Sequence, residues 1–146
     1  MGFFDTLKVM KDIVSGGIAS YKAGEKLDEL IEKVIADYGE ELSTAQEKLY
    51  LKYDRSKKAY NDNSDSEKTN ELLNAMENDR VAFLRAINDN DSIPKALRKE
   101  ISDAIEEFNK ADNLALNSLS NTLEKYAEND EQREEIRKVV DESKRK

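Results

Sequence analysis

The chain has 146 residues, one domain's worth by length, with a formal net charge of −8 and with apolar and charged residues each at 38%. It contains neither cysteine nor histidine, which removes disulfides, thiolate metal sites, the commonest general base and the usual transition-metal ligand. The acidic balance, with no basic stripe carrying interleaved aromatics, argues against a nucleic-acid partner, because affinity for phosphate backbones comes from clustered Lys and Arg.

The turn residues bound the fold. Glycine stops at Gly39 and Pro94 is the only proline, far too few turn formers for a sheet protein of this size, so the chain reads as all-α. Residues 3–15 form a short amphipathic segment in which Phe3, Phe4, Leu7, Met10 and Val14 gather apolar surface. They are candidate partner-binding residues. The segment lacks the basic start and unbroken apolar run of a signal peptide, and no stretch approaches the length of a membrane span. Gly2 and Thr6 fit the N-myristoylation pattern in two letters only, and the plain reading is a start codon followed by glycine. Two lysines in the segment are balanced by two aspartates, so docking on the bundle or on a protein is favoured over lipid. Ser15-Gly16-Gly17 reads as a hinge, and the spacing of Gly16, Ser20 and Gly24 as part of a flexible connector. Residues 1–17 therefore read as an N-terminal segment, and 18–146 as one helical-bundle domain.

From residue 25 to residue 60 the apolar positions Leu27, Leu30, Ile31, Val34, Ile35, Tyr38, Leu42, Ala45, Leu49, Tyr53 and Tyr60 keep to one sector roughly 140° wide. That phase predicts one helix running through Gly39, about 55 Å long, and hence an elongated bundle. Tyr50 and Leu51 fall off the stripe. Both read as surface positions, with Leu51 a candidate contact for a partner.

Residues 61–66 are a turn, and Ser64-Asp65-Ser66-Glu67 fits a capping box for a helix over 67–88. The acidic side chains of this turn do not make a calcium loop, since the sharp-turn glycine and the closing glutamate are both missing. Leu73, Met76, Phe83, Leu84 and Ile87 share a face of the helix, with Arg80 among them. After a second turn, Ser92 and Pro94 open a helix over 93–128 with a stripe from Leu97 to Tyr126 interrupted by Asp112. An antiparallel hairpin about residues 90–91 sets Arg80 opposite Ile101 with Glu100 as its natural partner, and Asp112 opposite Thr69 with Lys57 within reach. Arg80 and Asp112 are thus the candidate buried polar residues; they either fix register or form a polar site. Asn129-Asp130 break the chain before a last helix to about residue 143.

The expectation is an all-α, elongated antiparallel bundle of three main helices (about 25–60, 67–88 and 93–128) with a short helix at each end. No catalytic signature, cofactor site or metal site is read from the residues. The expected role is that of a non-enzymatic interaction protein (adaptor, scaffold or regulatory module) in the cytoplasm, binding a protein partner or itself. Peripheral membrane attachment through residues 3–14 is the first alternative, and a carboxylate-based enzyme the second.

Overall fold

In the computed structural model, which describes residues 21–143, every regular element among the described residues is helical. The order is α1 (Tyr21–Tyr38), a 3-10 turn (Gly39–Glu41), α2 (Thr44–Asn61), α3 (Thr69–Ile87), α4 (Lys95–Lys125) and α5 (Asp130–Ser143). No described helix is long and apolar enough to cross a membrane. The chain divides into two compact units: one is Lys22–Glu107, and the described part of the other is chiefly residues 108–143.

The expected long helix over 25–60 is two helices. After Tyr38 the chain turns, and Ser43 takes an extended conformation as the N-cap of α2. The Ser43 hydroxyl accepts from the Gln46 amide at 3.2 Å, while the Gln46 side-chain oxygen accepts from the Ser43 amide at 3.0 Å. This reciprocal capping box satisfies two amide donors that a continuous helix would have bonded internally. Space does not impose the break, since a Cβ on Gly39 would meet nothing. The corner is also tied from outside. Gln46 Nε2 donates to Ala86 O at 2.9 Å, and Asn90 Nδ2 donates to Glu41 O and to Gln46 Oε1, both at 2.9 Å. We predict that Ser43→Ala lowers the stability of the fold by about 1 kcal/mol, the usual worth of such a cap, read as a lower thermal midpoint.

The restart resets the helical phase. In α1, Leu27, Leu30, Ile31 and Val34 are buried at helical spacing, as expected. In α2 the inward face is Gln46 and Tyr53, with Leu49, Tyr50, Lys57 and Tyr60 half-buried, and Ala45 is exposed. Tyr50, expected at the surface, turns inward so that its ring centroid lies 5.6 Å from that of Phe83.

Helices α2 and α3 form an antiparallel hairpin, with Ser56 bonded to Asp79, Lys52 3.5 Å from Asp79 and Tyr50 on Phe83. The capping box expected at Ser64–Glu67 is not what opens α3. Asn63 and Asp65 take the nearby amides in successive side-chain turns, with Asp65 N–H donating to Asn63 Oδ1 and Glu67 N–H to Asp65 Oδ1, each at 3.0 Å. Lys68 is then the N-cap and makes no side-chain cap bond. Seven residues of α3 are buried, Met76, Glu77, Arg80, Val81, Phe83, Leu84 and Ile87, in one broad sector roughly 160° wide, and α3 is the central helix of its unit in that it touches both α1, through Arg80, and α2, through Phe83 and Ala86. Pro94 stands just before α4, its carbonyl accepting from the Arg98 amide at 3.0 Å. Leu97, Ile101, Ala104 and Ile105 then carry the buried face of α4 in this unit.

In the second unit Leu116 and Leu123 of α4 pack with Ile136 and Val140 of α5. The helix ends at Lys125, short of residue 128, so Tyr126 leaves the helical phase and is 76% exposed, where the stripe had placed it inside. The expected break at Asn129 is present: its side-chain oxygen accepts from the Gln132 amide at 2.9 Å at the start of α5.

Candidate functional site

The polar centre of the larger unit is Arg80. It projects from the central helix α3 and is 4% exposed, so its charge has to be answered inside the protein. Nη1 donates to the Gly24 carbonyl at 3.1 Å and stands 3.2 Å from Asp28 Oδ1, while Nη2 lies 3.9 Å from Glu77 Oε1. The same Asp28 oxygen accepts from the Tyr53 hydroxyl at 2.5 Å. One guanidinium and one carboxylate therefore join α1, α2 and α3. The close approach at Gly24 depends on its missing side chain, since a Cβ there would come 3.1 Å from Arg80 Nη2.

Sequence reasoning singled out Arg80 but gave it the wrong partner. Glu100 is bound instead to Lys26 at 2.9 Å, on the exposed surface between α1 and α4. This contact holds the Glu100 carboxyl below its ordinary range and the Lys26 ammonium above its own. Asp28, Glu77 and Tyr53 were not anticipated as members of a polar cluster. Tyr53 reads from the sequence as a member of the apolar stripe.

Burial, followed by the hydrogen bond to Asp28, pushes the Tyr53 phenol well above the usual tyrosine range. The folded protein thus holds the proton more tightly than the unfolded chain. The stabilisation is complete below the unfolded value near pH 10 and is lost as pH rises past it towards the folded value. Tyr53→Phe is expected to cost about 1–3 kcal/mol at neutral pH through the lost hydrogen bond. It should also flatten the decline in stability above pH ~10, read from urea melts across that range.

The remaining candidates are placed as follows. Asp112 is buried at 4% exposure in the second unit. Lys57, suggested as its partner, stands with its ammonium 5.9 Å from the Tyr53 ring centroid in the larger unit. Leu51 is 55% exposed on α2, as expected for a surface position. Phe3, Phe4, Leu7, Met10 and Val14 lie outside the described residues. Between α1 and α2 a groove of about 270 Å³ has Ile31 and Ile35 among its apolar lining and Asp28, Glu32, Asp54 and Lys57 among its charged lining. Asp28 is already bonded to Tyr53 and Arg80, and Asp54 to Lys58 at 2.9 Å. The geometry of the cluster is that of a clasp between helices.

No family model, curated protein or solved structure matches this chain.

Proposed function

We propose that this chain is a non-enzymatic helical interaction protein, an adaptor, scaffold or regulatory module acting in the cytoplasm. The observation that carries the reading is where the unusual side chains sit. The ionisable groups of the buried cluster are engaged with one another, whereas acid–base chemistry needs two such groups turned to a substrate with their environments set apart. Large apolar side chains, by contrast, are left at the surface: Leu51 on α2, and Leu114 and Tyr126 at 65% and 76% exposure in the second unit.

Size-exclusion chromatography with light scattering tests the reading, on the full chain and on one lacking residues 1–17. A full chain that is dimeric or larger, with a monomeric truncation, supports self-association through the N-terminal segment. Monomers in both cases remove self-association and leave a foreign partner. Liposome co-sedimentation lost on deleting residues 1–17 would favour membrane attachment through that segment instead.

A further inference from the structure

The outer face of α2 carries a feature that net charge conceals. Lys48, Leu51, Lys52, Arg55 and Lys58 are all exposed, and at 100° per residue they share a sector roughly 120° wide. The one exposed acid of the helix proper, Glu47, lies at the edge of this sector, and Asp54 is half-buried beyond it. A chain of net charge −8 thus presents a cationic stripe with a leucine inside it. The stripe is not consumed internally. Lys48 and Arg55 make no salt bridge among the described residues, and Lys52 and Lys58 keep 64% and 71% of their side-chain surface beside their partners Asp79 and Asp54.

We infer that this face is a docking surface for an acidic amphipathic helix of a partner protein, an inference that rests on the interaction-protein reading. Charge complementarity selects the partner, and Leu51 provides the apolar contact at the centre of the seam. From Lys48 to Lys58 the stripe is about 15 Å long and one helix wide, the footprint of a single helix pair. An anionic membrane fits less well. Interfacial helices bury a broad apolar face in lipid, whereas the inner face of α2 is spent on Phe83, Asp28 and Ala86. The adjoining α1 and its 3-10 turn also expose Glu32, Asp37, Glu40 and Glu41, which repel a charged plane. For nucleic acid the stacking aromatics are misplaced, since Tyr53 is buried and Tyr50 is half-buried against Phe83.

The test is an NMR titration of the full chain with a synthetic helical peptide carrying glutamates around a central leucine. Amide shifts should concentrate in residues 47–59. Affinity should fall about tenfold or more between ~0.05 and ~0.5 M salt. The double variant K48E/R55E should bind at least about tenfold more weakly with an unchanged melting temperature, because neither side chain supports the fold. Shifts located elsewhere, binding that survives K48E/R55E, or binding to phosphatidylserine vesicles but not to the peptide would each overturn the inference. The two readings fail separately. If the peptide does not bind while light scattering shows association through residues 1–17, this surface is excluded and the interaction-protein reading stands.

Discussion

Arg80→Ala should destabilise the larger unit by about 3–5 kcal/mol, the range found when one member of a buried ion pair is deleted. The size follows from what stays behind. Asp28 and Glu77 remain beside the vacated position, Glu77 at 4% exposure, and the Gly24 carbonyl loses its donor. Glu77 was desolvated beside the guanidinium, and without it that cost is no longer offset by the cation, while Asp28, whose side chain keeps 30% exposure, loses its cation but retains the Tyr53 hydroxyl. Urea unfolding followed by circular dichroism measures the loss. Arg80→Lys is expected to recover only part of it, because a single ammonium cannot occupy the Nη1 and Nη2 positions together. The decisive comparison is the triple variant R80A/D28N/E77Q. Removing both carboxylates with the cation should cost clearly less than the sum of the separate losses, since the penalty belongs to the unbalanced charge. A strictly additive result would mean that Arg80 acts mainly through the packing of its stem.

What the sequence disclosed follows from which signals are local. The helical class was legible because apolar residues recur at helical spacing and turn residues are few. The break between α1 and α2 is not legible in the apolar residues because they keep helical spacing through it in the sequence: Leu42, inside the break, and Leu49, in α2, are both half-buried. The signal lay in polar residues, Ser43 and Gln46 at capping-box spacing, which a reading of the apolar stripe passes over. Arg80 was recognisable as an intruder on an apolar face, yet its partners could not be derived from a hairpin register. That register compares helices adjacent in sequence, whereas Gly24 and Asp28 come from α1, two helices earlier, and Glu77 from α3 itself. The cationic face of α2 was hidden for a related reason. Lys48, Lys52, Arg55 and Lys58 are interspersed with Glu47 and Asp54 along the chain; helical spacing gathers them on one side, and the packed orientation of the helix shows that this side is the exposed one.

Phe83→Ala should remove about 3–5 kcal/mol, a loss comparable with that at Arg80 but of different origin. Phe83 is fully buried on the central helix, with its ring tilted 56° against Tyr50 of α2. Truncation deletes the transfer free energy of the ring and leaves a cavity that helices held by the Arg80 and Gln46 contacts cannot readily close. Phe83→Leu keeps much of the volume and should cost about 1–1.5 kcal/mol. Tyr50→Ala should cost less than Phe83→Ala because Tyr50 is already half-exposed to solvent. A double-mutant cycle between the two should return a coupling of about 0.5–1.5 kcal/mol, the worth of an aromatic pair beyond area burial. These two helices also separate stability from recognition. Phe83 and Tyr50 lie on the inner seam of the α2–α3 hairpin, and Lys48, Leu51 and Arg55 on its outer side. K48E/R55E should therefore leave the unfolding midpoint where it is, whereas Phe83→Ala lowers it without altering a charge on the outer face. Equal midpoint losses in the two variants would mean that the outer face of α2 is part of the folded core, and that no surface there is free for a partner.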